Sequence, residues 1–262
     1  MIPPRTKSDW NSGEAGVLVP GSIAVEANEG PEASDGLLDA TDAVLFALAR
    51  AVEHRDQITA DHCERMALTS LAMGMALSLE TKELVALFRG AYLHDIGKVG
   101  IPDAILFKPG RLTHAEWELM CTHTTLGVEI CRHLKTLEPS LGVIRHHHEH
   151  WDGSGYPDRL AGTDIPLLAR IVQISDIYDA LTSPRPYKRA FAPAEAIATL
   201  EEETSKGWRD PELITVFLRL HRNGLDAVTR NCRLDSLRTM FASIASHSNL
   251  WKNENGGPPN WV

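Results

Sequence analysis

From residue 39 onward the apolar positions recur every three to four residues and alternating runs are nearly absent, so the chain reads as a series of amphipathic helices. Asp39 to Glu53 sets Val44, Leu45, Leu48 and Val52 at helical spacing, and a second helix runs from Thr59, an N-cap residue, to about Leu79. Thr81 to Ile96 carries Leu84, Leu87, Phe88 and Ala91 on one face, and Gly97 stops it. Thr113 with Glu116 three residues on is a capping box that opens a helix to about Leu134, followed by a shorter one from Pro139 to Trp151. Pro166 suits the first turn of a helix to about Thr182, and two more span Pro193 to Ser205 and Pro211 to Asn223. The predicted fold class is all-α, a bundle of about seven helices.

Composition sets the limits of that bundle. Residues 1–36 are rich in Gly, Pro, Ser, Glu and Ala without periodicity, which predicts a flexible leader too short and irregular for a fused sensor or receiver domain. The folded domain is expected at 37–225. Residues 226–262 are expected to add a helix near Leu234 to Ala245 and a loose tail. A hydrophobic share of 43% over 262 residues is enough for a full core. The net charge of −9 argues against polymeric nucleic acid as a partner, because that affinity rests on many Lys and Arg contacts, but a small phosphorylated ligand needs only a local cation cluster. The N-terminus shows no secretory signal, and the longest uncharged stretch, Met66 to Leu79, is too short to span a bilayer. Cys63, Cys121, Cys131 and Cys232 lack Cys-x-x-Cys spacing, so reduced thiols, no membrane attachment and a cytoplasmic location are expected.

The 12 histidines change the picture. His62 falls on the second helix, His94-Asp95 at the end of the third, His123 on the fourth, His147-His148 on the fifth and Asp176 on the sixth. Helical bundles build metal sites in this way, one or two donors per helix. Imidazole and carboxylate without thiolate favour Fe, Mn, Ni or Zn in a reactive rather than a structural site. Adjacent helical residues point about 100° apart, so His-Asp and His-His pairs serve two ions more easily than one. Two ions about 3.5–4 Å apart would share Asp95 and a bridging hydroxide. Lys98, four residues after His94, would then face a phosphate. Taken alone, each His or Asp is more often an ordinary polar residue, and HHHEH at 146–150 is as readable as a solvated run.

HDIGK at 94–98, HHE at 147–149, WDGSGYP at 151–157 and SDIYDALTSPRPYK at 175–188, with His62 and His123, together resemble the HD-GYP branch of the HD superfamily of metal-dependent phosphohydrolases. The resemblance runs from about Asp39 to Phe217. It implies an all-helical fold with an iron or manganese centre of two or three ions. It also implies hydrolysis of cyclic di-GMP to pGpG and onward to GMP, by a metal-bridging hydroxide. Its ligands would be His62, His94, Asp95, His123, His147, His148 and Asp176, with Lys98 assisting and Arg185 and Lys188 holding the nucleotide. Members with three ions have a glutamate one turn before the first histidine. Here that position is Ile58, so two ions are expected.

Glu149 is expected to accept a proton from a ligand imidazole or to anchor the loop, and Asp179 to act behind the ligands or to bond a helix. His146 and His150 are expected as bystanders, His150 facing water. In the loop, Gly153 and Gly155 allow positive φ or close approach, Pro157 stiffens the exit, and Trp151 and Tyr156 are expected to pack rather than stack on guanine. The resemblance also implies contacts of the loop with GGDEF-type cyclic di-GMP synthases, in a monomer or homodimer. Two alternatives remain: a binding or interaction module with weak turnover, against which the complete ligand set argues, and hydrolysis of another cyclic dinucleotide.

Overall fold

The computed structural model describes residues 40–56, 62–184 and 189–231. The leader, Ile58, Thr59, Arg185, Lys188, Cys232 and the tail helix lie outside the described residues. Among those described there are eleven α-helices, three 3₁₀ turns and no strand. The all-α reading holds.

The helices α1 (Ala40–Arg55), α2 (His62–Ala76) and α3 (Thr81–Leu93) form the first layer. In α2 nearly every residue from Met66 to Met75 is buried, which suits an all-round apolar helix enclosed by α3, α8 (Leu167–Thr182), α10 (Pro211–Arg222) and α11 (Leu225–Asn231). Full burial of each large apolar side chain there contributes about 1.5–3 kcal/mol. Helix α1 packs on α2 and α3 through Leu45, Ala49 and Val52, and Arg89 of α3 donates a fork of hydrogen bonds to its buried Asp42 at 2.8 and 2.6 Å. Val44 and Leu48, read as part of the apolar face, are instead 61% and 53% exposed. The core-facing stripe lies one residue on.

Several expected helices are shorter or divided. The third ends at Leu93 and passes into a 3₁₀ turn, Ile96–Gly100, followed by the one-turn α4 (Asp103–Leu106). The helix expected from Thr113 to Leu134 begins with its capping box, Glu116 accepting from the Thr113 N–H at 2.7 Å, but splits at Thr122 into α5 (His114–Cys121) and α6 (His123–Cys131). The hydroxyls of Thr122, Thr124 and Thr125 donate to carbonyls three residues back at 2.6, 3.1 and 2.9 Å, and this competition with the backbone ladder breaks the helix. Pro139 lies in a 3₁₀ turn, Lys135–Ser140, and α7 covers only Leu141–His146, not the stretch to Trp151. Gln173 of α8 bonds the carbonyls of His147 and Glu149, so these leave the helical pattern. The starts of α9 (Pro193–Ser205) and α10 fall at their prolines as expected, with Asp210 capping α10 through the Glu212 and Leu213 amides.

Candidate metal centre

Five chain segments bring donors together, four of them at helix ends. His62 opens α2, His94 and Asp95 follow α3, His123 opens α6, His147 and His148 follow α7, and Asp176 sits within α8. Their donor atoms form two groups, each within 4.8 Å: His62, His94 and Asp176 in one, and Asp95, His123, His147 and His148 in the other. Asp95 Oδ2 lies 3.1 Å from His94 Nε2, while Oδ1 lies 3.4 Å from His123 Nε2 and 4.0 Å from His147 Nε2. One carboxylate oxygen therefore faces each group.

The rings are aimed from behind. His94, His123 and His147 bond through Nδ1 to the carbonyls of Ala91, Met120 and Ile144 at 2.8, 2.8 and 3.0 Å. A carbonyl can only accept, so each Nδ1 carries the proton and Nε2 is turned into the site. His62 Nδ1 meets the Asp179 carboxylate at 2.6 Å, and Arg65 holds the same carboxylate at 2.7 and 3.0 Å. Burial would raise the Asp179 carboxyl, but the hydrogen bonds of His62 and Arg65 bring it down to about 2. Asp179 thus orients His62. Replacing Asp179 with alanine should weaken metal binding about 10–100-fold, measured by chelator competition with helical content unchanged, because loss of such a partner frees the ring and lowers its basicity. An unaltered affinity would reduce Asp179 to a partner of Arg65 and Ser183.

Electrostatics fits a dication. Burial holds His147 and His148 well below their ordinary pKa, and lowers that of His123, so these rings are neutral donors. Burial opposes ionisation of Asp95, but His94 and Lys98 keep its carboxyl well below the usual range. Burial would also lower His94, yet Asp95 and Asp176 push it up to about 9, the response of a cluster whose negative charge its own residues do not neutralise. Of the four buried side-chain polar atoms without a hydrogen-bond partner among the described residues, two, His94 Nε2 and Asp95 Oδ1, belong to these groups. Orphaned buried polar atoms are rare unless something else binds them.

Lys98 reaches the same carboxylate. Its ammonium lies 2.8 Å from Asp95 Oδ2 and 2.7 Å from Asp56 Oδ2, and although burial works against the charge, these two anions raise its pKa. Asp56 carries no signal for this role in the sequence. Arg55 was missed altogether: its guanidinium donates to the Lys98 and Ile101 carbonyls at 2.9 and 2.7 Å and to Asp103 at 2.6 Å, fixing the turn that carries the lysine. Glu53 accepts from the His62 amide at 2.6 Å and so caps α2, placing negative charge where the helix dipole favours it.

The glycine-rich loop closes one side. Glu149, wholly buried, accepts from the Asp158 and Leu160 amides at 2.7 and 3.2 Å, so it anchors the loop rather than bonding a ligand ring. Gly153 takes φ 79°, and a Cβ on Gly155 would lie 2.5 Å from the His148 carbonyl. The Tyr156-Pro157 peptide is cis. Tyr156 stacks on His148 with centroids 4.8 Å apart, and Arg170 lies over Trp151, so both aromatics have packing partners. His150 does not simply face water: it stacks on Trp208 at 5.3 Å, and its Nδ1 lies 2.9 Å from Ser154 Oγ. His146, with Glu149 and Asp158, forms a third group at the loop base. Cys63, Cys121 and Cys131 are free thiols.

An all-helical core that presents two adjoining imidazole and carboxylate groups is the build of a metal-binding helical domain. The chain belongs to the HD-domain family, whose model matches residues 47–213. The cyclic di-GMP phosphodiesterase response regulator RpfG of Xanthomonas campestris pv. campestris is 41% identical over 177 residues, 67% of this chain and 47% of that protein. A cyclic di-GMP phosphodiesterase of Thermotoga maritima is 39% identical over 71% of this chain and 51% of its own length. The 3'3'-cGAMP-specific phosphodiesterase 2 of Vibrio cholerae is 38% identical over 67% of this chain and 34% of its own. These agree with the HD-GYP resemblance read from the motifs. The chain thus spans half or less of the length of these relatives, apart from the slightly larger share of the Thermotoga protein. A crystal structure of a cyclic GMP-AMP-specific phosphodiesterase of V. cholerae shares the fold at TM-score 0.59 and 21% identity, over 80% of this chain and 59% of that one. No helix among the described residues is long and apolar enough to cross a membrane.

Proposed function

We propose that the chain is a metal-dependent phosphodiesterase that cleaves cyclic di-GMP to pGpG and onward to GMP. The observation that carries this reading is the placement of Asp95 between two donor groups, one oxygen toward each. His62, His94 and Asp176 would hold one divalent ion, and His123, His147 and His148 a second, with Asp95 shared. This thiolate-free set of imidazoles and carboxylates suits iron, manganese, nickel or zinc, and the HD-GYP resemblance implies iron or manganese. Ile58 offers no donor for a third. Bound ions of this kind polarise a phosphoryl oxygen and make water acidic enough to serve as nucleophile at neutral pH.

The chain's own residues do the rest. Carbonyls of Ala91, Met120 and Ile144 hold three rings in the donor tautomer, so the site needs little reorganisation on binding. The Lys98 ammonium, kept charged by Asp95 and Asp56, places positive charge beside the donors, where a phosphate gains charge during attack. We assign Arg185 and Lys188 to the nucleotide's phosphates.

Relatives named for both cyclic di-GMP and 3'3'-cGAMP define the substrates to test. Anaerobically purified protein should contain two metal equivalents and should convert cyclic di-GMP to pGpG, then GMP, by chromatography. Faster cleavage of 3'3'-cGAMP would reassign the substrate within the class. Metal-loaded protein that binds these dinucleotides and leaves them intact would replace the enzyme with a binding module.

A further inference from the structure

Beside the donor groups lies an open groove of about 540 Å³, lined among others by Trp117, Glu118, Thr125, Tyr156 and Arg159. Its inner end is tied to the centre, since Tyr156 stacks on His148 and Trp117 meets Tyr156 edge-on with centroids 5.9 Å apart. Trp117 is 49% exposed, a large aromatic surface left open one ring beyond the metal-facing histidines.

Arg159 is the unusual residue of this groove. It holds φ 56°, a left-handed conformation that a residue with a Cβ adopts at a cost. The amides on either side are both bonded to the buried Glu149 carboxylate, so the surrounding structure imposes this conformation. The adjacent Asp158 does not pair with it, because Arg145 takes both oxygens at 2.7 and 2.8 Å. Arg159 is exposed and has no side-chain hydrogen bond or ion pair among the described residues. The turn presents an uncommitted guanidinium on the rim of a groove that the Tyr156 ring, stacked on His148, links to the donor groups.

We propose that this groove seats one guanine of the substrate, stacked on Trp117, with Arg159 reading its O6 and N7. A guanidinium fork matches those two acceptors, whereas adenine offers an amino donor in place of O6 and repels it. An exposed indole face binds any base, so stacking gives affinity and Arg159 gives the choice of base. This rests on the phosphodiesterase reading and adds to it the residue that selects the base.

The test uses metal-loaded full chain, with bis(p-nitrophenyl) phosphate as a base-free substrate and cyclic di-GMP or cyclic di-AMP as competitor. Arg159→Gly relieves the left-handed strain, so its thermal midpoint should not fall. It should weaken inhibition by cyclic di-GMP about 10-fold or more, leave base-free hydrolysis unchanged and inhibition by cyclic di-AMP no weaker, and raise KM for cyclic di-GMP rather than lower kcat. Arg159→Lys keeps the charge but not the fork and should lose the same preference. Trp117→Ala should weaken both competitors alike. Equal inhibition of wild type and Arg159→Gly by cyclic di-GMP overturns the assignment. If the wild type cleaves no cyclic dinucleotide in the product analysis, the phosphodiesterase reading fails first and the base assignment with it.

Discussion

Asp95→Ala should abolish metal loading at both donor groups and reduce turnover by more than about 10³-fold. Every other donor belongs to a single group, whereas Asp95 has His94 Nε2 at 3.1 Å on one oxygen and His123 Nε2 at 3.4 Å on the other. The second group otherwise consists of three imidazoles, His123, His147 and His148, so without Asp95 it has no anion of its own to balance a dication. Lys98 loses one of its two carboxylates and keeps only Asp56. Metal content by mass spectrometry and product formation should therefore fall together. Circular dichroism should be unchanged, because Asp95 contributes to no apolar contact of the core. Asp95→Asn keeps the shape and removes the charge, and it should fail nearly as completely. Wild-type metal content or turnover in the alanine variant would sink the shared-carboxylate arrangement.

What the sequence made legible follows physical locality. Capping signals are written within four residues, so Thr113 with Glu116, Pro193 and Pro211 mark the starts that the structure has. The seven residues read as ligands come as short pairs and single residues on separate helices, and all seven fall into the two donor groups. The break at Thr122 was hidden because the apolar period continues through it, and the hydroxyl competition that divides α5 from α6 leaves that period intact. Contacts that support the site were hidden by distance along the chain. Asp179 is expected behind the ligands, yet its partner His62 lies 117 residues away and is not named by the sequence. Asp56 meets Lys98 across 42 residues, and Gln173 reaches the His147 carbonyl from α8. Lone polar residues of this kind carry no local signal, so only the packing of α1, α2 and α8 reveals them. The same holds for His150, whose partner Trp208 lies beyond the loop in sequence and beside it in space.

Gly97→Ala should be the most damaging change that removes no donor, destabilising the chain by about 4 kcal/mol or more. The turn Ile96–Gly100 packs backbone to backbone on the first turn of α6. A Cβ on Gly97 would fall within the van der Waals shell of the His123 carbonyl oxygen and 2.5 Å from Gly127 N. Both are backbone atoms, so no side-chain rotamer relieves the clash and the two segments must separate. Gly97 follows Asp95 by two residues and precedes Lys98 by one, and the displaced carbonyl belongs to His123 itself. Separation would therefore pull Asp95 and Lys98 away from the second donor group as it unpacks the core. Denaturant unfolding should show the lower midpoint, and a metal titration on the fraction still folded should show weaker binding than in wild type. Gly127→Ala offers a contrast on the facing helix, since its Cβ would first meet the Ile144 Cγ2 methyl at 2.7 Å, a side-chain atom, and the backbone of Gly97 only at 3.5 Å. It should cost less stability than Gly97→Ala and spare more of the metal affinity. Equal losses in the two variants would mean that the backbone contact between the turn and α6 does not position Asp95.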